Sequence, residues 1–308
     1  MEKISDRLRD ILIATGGSQE ALAVRLGVSF VSLNAWINDK SSPRQSALDR
    51  INELYVEVMG IDSVDRDELS RLKTEAERLH YSARKLVRDN DLLKNFTTAL
   101  TYHTNATEGS TMTESDVEAV VYNNQMLRNR TSLEQREAVN HQSALYFLLD
   151  ELDTKGNDFI FTPELVKSVH LRMMNGIVSD AGLWRNHGVR VTGSHVARAN
   201  YVKLPDLMEN WCVLANSETR DKIELLARTH AEFERIHPFS DGNGRTGRLL
   251  LVALALRLKI APPILKKERK HAYYKYLELA HAKENTDPLE MYIARSIIET
   301  AKFIDETL

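Results

Sequence analysis

Twelve consecutive residues, His237-Pro238-Phe239-Ser240-Asp241-Gly242-Asn243-Gly244-Arg245-Thr246-Gly247-Arg248, hold an imidazole, a carboxylate, an amide, three glycines and two arginines. These groups suit a polyphosphate with a base beside it. Glycine reaches φ > 0 and lets a backbone approach a ligand closely. Gly242 and Gly244 flank Asn243, so the loop can fold into a nest of N–H groups. The apolar run Leu249 to Leu258 follows at helical length. That puts the nest at a helix N-terminus, where anions bind. Arg245 and Arg248 are three apart and share one helix face, and guanidinium forks match phosphate oxygens. Asp241 offers the hard oxygen that Mg²⁺ on a nucleotide takes. His237 has the side chain whose ordinary pKa suits proton abstraction near neutrality.

The same stretch contains Gly242-x-Gly244-x-x-Gly247, the bare dinucleotide-binding pattern. That pattern needs a strand before it. Here Ile223, Leu226, His230, Phe233 and Ile236 recur at three and four, so the lead-in is helical. No lysine and hydroxyl close the loop as in a Walker A motif. The plainer alternative is a glycine turn between two helices with exposed arginines.

The twelve residues resemble the Fic family signature, His-x-Phe-x-(Asp/Glu)-Gly-Asn-Gly-Arg-x-x-Arg, at every fixed position, and further similarity runs from about residue 96 to about 300. The resemblance implies an all-helical domain with a small β-hairpin flap that transfers AMP from ATP to a protein hydroxyl. On it, His237 deprotonates the target Ser, Thr or Tyr, and Asp241 holds Mg²⁺. Asn243 and the amides of Gly242 and Gly244 hold the inner phosphates, while Arg245 and Arg248 hold the outer ones. Thr104-Asn105-Ala106-Thr107-Glu108-Gly109 resembles the family's inhibitory motif, (Ser/Thr)-x-x-x-Glu-(Gly/Asn). The resemblance pairs Glu108 with Arg248 and makes residues near 100–109 an N-terminal inhibitory helix. A guanidinium held by a carboxylate cannot also grip a γ-phosphate. The bland alternative is a surface glutamate before a helix-ending glycine.

Val189 to Ser194 alternates like a strand, and Asn200 to Leu204 is the expected return strand. By resemblance, residues 188–204 form the flap that docks the target segment in extended form. Ala197-Arg198-Ala199-Asn200 stands where many relatives carry prolines, which departs from the family pattern. His271-Ala272-Tyr273-Tyr274 opens a helix similar to the family's adenine-side helix. Tyr273 and Tyr274 are either neighbours of the base or ordinary packing aromatics.

The chain has 308 residues and a net charge of −3, room for two domains or one large one, without a global basic field. Cys212 is the lone cysteine, which points to a reducing compartment, the cytoplasm. The charged start Met1 to Arg7 lacks the apolar core of a signal peptide. No run approaches the roughly 18 apolar residues of a membrane span, so no membrane partner is expected.

The first 60 residues read as four helices: 4–14, Gln19 to Leu26, Phe30 to Ile37, and about Gln45 to Met59. Ser18 and Ser29 are N-caps, and Gly27 sits in the turn of a helix-turn-helix that resembles the Cro/repressor type. Leu22, Ala23, Leu26 and Trp36 are core candidates. Ser29, Phe30, Ser32 and Asn34 would face a DNA groove, with Gln19, Lys40 and Arg44 near phosphate. Against this, Lys3, Arg7, Arg9, Arg25, Lys40, Arg44 and Arg50 are matched by Glu2, Asp6, Asp10, Glu20, Asp39, Asp49, Glu53 and Glu57. Duplex affinity comes largely from phosphate neutralisation, so a contact or homodimerisation module is the alternative.

Residues 61–95 read as a charged connector, a solvated helix with the stripe Leu69, Leu72, Ala76, Leu79 and Ala83. Two further helices flank a turn at Lys155 to Asp158, with Leu165, Val169, Leu171 and Met173 as core. His141 and His170 read as structural histidines. The expected layout is 1–60 helix-turn-helix, 61–95 connector, and 96–308 Fic domain. Its expected function is an autoinhibited protein adenylyltransferase using MgATP. The alternatives are removal of AMP from a modified target, and a nucleotide-sensing DNA-binding regulator.

Overall fold

Backbone caps at the N-terminus set four short helices in place. α1 (Ile4–Thr15) stops at Gly16, whose φ of 60° suits a residue without a Cβ. The Ser18 hydroxyl caps α2 (Gln19–Leu26) by accepting from Ala21 N–H, and Ser29 caps α3 (Phe30–Ile37) from Ser32 N–H. Gly27 at φ 63° makes the turn, and the two helices are bent by 110° about it. α4 (Gln45–Met59) closes the bundle over Leu8, Ile11, Leu22, Ala23, Leu26, Leu33 and Trp36. This is a helix-turn-helix bundle with its own core. The structure is a computed structural model, and it describes residues 3–59, 64–190, 198–283 and 285–306.

The stretch expected to be a solvated connector is instead packed. It forms α5 (Arg66–Glu77) and α6 (Ala83–Arg88). Leu69, Leu72 and Ala76 are buried, largely against α15 (Asp287–Asp305). Lys73 is held between Asp221 and Glu290, with Glu290 Oε2 2.6 Å from its Nζ. The narrow stripe was the correct face, but its cover lies more than 200 residues away in sequence.

The remaining helices surround α13 (Asn243–Arg257), which is apolar and buried nearly all round, as a central helix must be. α12 (Lys222–Ile236), α9 (Ser132–Lys155) and α10 (Pro163–Met173) pack around it, with α7 (Asn90–Thr107) crossing its start. α8 (Glu114–Val121), α11 (Leu204–Ala215) and α14 (Lys270–Lys283) complete the shell. Of the four core candidates on α10, Leu165, Val169 and Met173 are buried, but Leu171 is 48% exposed on the outer face.

No strand occurs among the described residues. Residues 191–197 of the expected hairpin lie outside them. The expected return strand is helical instead: Tyr201–Lys203 is a 3-10 turn leading into α11. Asn200 Oδ1 accepts from Val202 N–H at 3.0 Å, and Pro205 pre-sets the first helical turn.

Buried ionic contacts seat the N-terminal bundle on the larger unit. Glu53 lies 3.3 Å from Arg269 Nε and 3.6 Å from Arg295 Nη1. Arg295 also donates to Asp49 O and Glu68 Oε1, and Tyr276 Oη donates to Glu53 O at 2.8 Å. No single described helix is long and apolar enough to cross a membrane.

Candidate active site

The loop between α12 and α13 is braced from within. α12 ends where His237 enters the left-handed region at φ 53°, ψ 62°, a conformation uncommon for residues with a Cβ. Phe239 is fully buried, stacked on His170 at 3.5 Å and tilted against Trp184. The Asn243 amide clasps Phe239 from both sides: Oδ1 accepts from Phe239 N–H at 2.9 Å, and Nδ2 donates to Phe239 O at 2.8 Å. Here the Asn243 side chain is committed to the loop and shapes the turn. His170 Nδ1 accepts from Gly182 N–H, so its Nε2 donates to Asp241 O at 2.9 Å. Burial pushes that imidazole down to about 4, so it stays neutral. Gly242 sits at φ 75°, and a Cβ there would meet Met174 Sδ at 2.5 Å.

α13 therefore begins at Asn243 with no side-chain cap among the described residues. Its first N–H groups remain available to an anion. The two arginines diverge. Arg245 Nη1 donates to Glu137 Oε1 at 2.5 Å, while its Nη2 lies 3.6 Å from Asp241 Oδ2. Arg248 is 2% exposed and donates through Nη2 to Glu108 Oε1 at 2.5 Å and to Thr104 O at 3.2 Å. Its Nε and Nη1 are buried without a hydrogen-bond partner.

Glu108 is the C-cap residue of α7. A Cβ built on Gly244 would collide with Glu108 Oε1. The carboxylate therefore lies directly over the first turn of α13, where an anion would sit. Burial raises the pKa of Glu108, but Arg248 beside it more than offsets this and leaves it below the usual carboxylate range. Arg248 in turn is held above its ordinary value: burial lowers it, and Glu108 together with Tyr273 and Tyr274 more than offsets that.

His237 turns its Nδ1 back along α12. That atom lies 3.3 Å from Glu234 O and 3.8 Å from Glu234 Oε2. Burial, with Arg198 and Arg185 adding to it, pushes His237 down to about 4. A neutral ring with Nδ1–H toward Glu234 O leaves Nε2 as the proton acceptor. Arg185 is 2% exposed and spends its guanidinium on main-chain carbonyls: His237 at 2.8 Å, His187 at 2.7 Å and Ala199 at 2.6 Å. It ties the loop before α13 to the main chain at His187 and Ala199. Arg185, Glu137 and Glu234 were not singled out from sequence. Each is an isolated residue, and only the three-residue step from Glu234 to His237 carries any local signal.

Asp241 has the most open side chain in the loop, 62% exposed. Among the described residues no group of three or more His, Cys, Asp and Glu side chains could hold a metal by itself. A lone exposed carboxylate fits Mg²⁺ that arrives on phosphates, since Mg²⁺ keeps waters and takes one or two protein oxygens. Of the two tyrosines, Tyr273 is 2% exposed and its hydroxyl lies 2.9 Å from His230 Nε2, so it is a packing aromatic. Tyr274 is 43% exposed.

In the N-terminal bundle, the candidate groove residues are partly used on one another. Asn34 Nδ2 donates to Gln19 Oε1 at 3.0 Å, and the Ser29 and Ser32 hydroxyls lie 2.9 Å apart. Phe30 is 43% exposed on α3. Arg9, Arg25 and Arg50 are engaged by Ile37 O, Glu57 and Leu26 O.

Residues 160–255 match the Fic/DOC family, and residues 8–55 match a helix-turn-helix family. The chain is 33% identical over 183 residues to a protein adenylyltransferase Fic of Nematostella vectensis, covering 58% of this chain and 42% of that protein. It is 30% identical over 283 residues to protein adenylyltransferase fic-1 of Caenorhabditis elegans, covering 91% and 49%. The chain thus spans about half or less of the length of these curated relatives. Its fold is similar to a solved fragment of C. elegans Fic-1, with a TM-score of 0.66 at 22% identity over 98% of this chain and 96% of that one. It is also similar to a Fic-domain-containing signalling protein from Bacteroides thetaiotaomicron, with a TM-score of 0.63 at 19% identity, covering 78% and 97%.

Proposed function

We propose that this chain, which carries a Fic domain joined to an N-terminal helix-turn-helix domain, is an autoinhibited protein adenylyltransferase. It transfers AMP from MgATP to a Ser, Thr or Tyr hydroxyl of a protein. The carrying observation is that one braced turn holds both a neutral imidazole and an uncapped helix start, with the Glu108 carboxylate lying over that start and gripping Arg248. The curated relatives bearing the name protein adenylyltransferase support the same activity. We take 96–308 as the Fic unit, 61–95 as its link to the bundle, and α7 as the inhibitory helix.

In this reading the N–H groups of Gly244 and Arg245 hold phosphate oxygens, joined by Gly242 N–H once Asp241 Oδ1, which accepts it at 2.6 Å, turns to the metal, and Arg245 and Arg248 hold the outer oxygens. Asp241 would hold Mg²⁺, which neutralises phosphate charge when bound. His237 Nε2 takes the proton of the target hydroxyl. The hydroxyl oxygen forms a bond to the α-phosphorus, the bond from that phosphorus to the bridging oxygen breaks, and pyrophosphate leaves. Such transfers depend mainly on positioning and charge stabilisation. Glu108 prevents this by occupying Arg248 and by repelling a γ-phosphate. The target segment docks along 188–204, tied to His237 through Arg185. The exposed end of α3 is the proposed DNA-facing surface, centred on Phe30 and Ser32. Because so many of the bundle's arginines are spent internally, its duplex affinity should be modest.

The test is labelling with ATP radioactive at the α-phosphate. Label should appear on protein, rise in Glu108→Gly and vanish in Glu108→Gly/His237→Ala. Label from the γ-position instead would refute adenylyl transfer.

A further inference from the structure

The proposed mechanism asks a weak base to take a proton. His237 is surrounded by cationic side chains, Arg198 and Arg185, and is largely buried. The imidazolium formed on proton transfer must be stabilised by something already in place. Glu234 stands there. It lies one helical turn before His237 on α12, and the left-handed twist at His237 folds the ring back over it. Its Oε2 is 3.8 Å from His237 Nδ1, and its main-chain oxygen is 3.3 Å from the same atom.

We propose that Glu234 is the charge partner of His237: its main-chain oxygen holds the Nδ1–H tautomer, and its buried carboxylate stabilises the imidazolium that forms when the target hydroxyl gives up its proton. This rests on the adenylyl-transfer reading above and deepens it. The balance is simple. The hydroxyl proton moves to His237 Nε2, the Nδ1–H stays in place beside Glu234, and the net positive charge on the ring faces a negative carboxylate.

Three features support the assignment. Glu234 is 8% exposed, and its Oε1 is buried with no hydrogen-bond partner. An acid kept in that state costs stability and brings no structural bond in return. Gly247 is shaped around it, because a Cβ there would come 2.6 Å from Glu234 Oε1 and 3.0 Å from Phe233. The carboxyl therefore occupies a seat built jointly by α12 and α13. The neighbouring charges also fit. Arg248 and Arg198 favour the ionised carboxylate, while Glu108 on α7 opposes it. Burial dominates and pushes Glu234 up to about 7. The pair then carries one proton, on Glu234, between about pH 4 and 7, and is fully ready above that range.

A residue that acts through His237 is a positioning residue, and a merely structural acid would not move the readouts that distinguish it. The experiment uses the full chain in the Glu108→Gly background, with Glu234→Gln and Glu234→Asp. The first readout is the NMR titration of the His237 ring nitrogens. The parent should show Nδ1–H with a shift step as Glu234 ionises beside it, below pH 7 because the opposing Glu108 charge has been removed. That step should be absent in Glu234→Gln and return in Glu234→Asp. The second is the rate of α-label transfer. Glu234→Gln should lose roughly tenfold in kcat above pH 7, the worth of one pKa unit of imidazolium stabilisation, with KM for ATP unchanged. The gap should narrow below pH 7, where Glu234 is protonated anyway. A His237 step that persists in Glu234→Gln, or an unchanged kcat and pH profile, overturns the proposal. If the parent transfers no label at all, adenylyl transfer fails as a reading, while the ring titration still decides whether Glu234 and His237 are coupled.

Discussion

Glu108→Gly should activate the enzyme and destabilise it at once, because the same contact does both jobs. Breaking a buried ion pair from one side costs about 3–5 kcal/mol, since the remaining charge loses its partner. Arg248 is buried, but the Glu108 side chain is 35% exposed, so water screens part of the pair. About 2–3 kcal/mol is the appropriate range. At about 1.4 kcal/mol per decade, the fraction of molecules with Arg248 free for phosphate rises roughly 30- to 150-fold. Without nucleotide, the variant should unfold at lower urea by a similar free energy, because Arg248 keeps only Thr104 O as an acceptor. Saturating MgATP should restore most of that loss, about 2.7 kcal/mol at a hundredfold excess over Kd. Glu108→Gln keeps the shape without the charge and should behave alike. The assay is α-label transfer beside urea unfolding with and without MgATP. An unchanged transfer rate together with an unchanged apo stability would show that Glu108 does not restrain Arg248.

The other expectations concern the supports of the site. Asn243→Ala should cut α-label transfer on the order of a hundredfold and cost about 1–3 kcal/mol in urea unfolding, because Phe239 loses both of its main-chain partners. Six histidines, 103, 141, 170, 230, 237 and 281, are held below their ordinary value, with burial the first cause in each. The unfolded chain therefore binds more protons as pH falls, so the stability they contribute is present above about 6.5 and is lost toward 4. Glu234 and Glu53, both raised by burial, act in the opposite sense but are outnumbered. Thermal melts should fall steadily across that window. Glu53→Ala removes the bundle's carboxylate from Arg269 and Arg295 on the larger unit, and because Arg269 keeps Glu299 and Arg295 keeps Glu68, it should cost about 3 kcal/mol, the low end for a broken buried pair.

How far the sequence carried depended on how local each signal was. Ser18, Ser29 and Gly27 mark helix ends through their own backbones, so α2 and α3 were legible to the residue. The turn between α12 and α13 was legible because its candidate groups are packed into twelve positions. Glu108 was legible only through resemblance, since nothing in its own stretch names Arg248 as its partner 140 residues on. The residues that reading missed are single ones whose meaning is tertiary. Glu137 on α9 matters because Arg245 comes to it, and Arg185 because four carbonyls converge on it. The same limit explains the connector: Leu69, Leu72 and Ala76 look like a weak stripe until α15 covers them. The clasp of Asn243 on Phe239 was not legible, since amide chemistry suits a phosphate and a peptide equally well.

The central claim is most directly tested by the intact mass of the Glu108→Gly protein, and of proteins in an added lysate, after incubation with MgATP. Both should gain increments of one AMP that vanish when His237 is also replaced by Ala. Increments of one phosphate, or AMP increments that persist without His237, would contradict it.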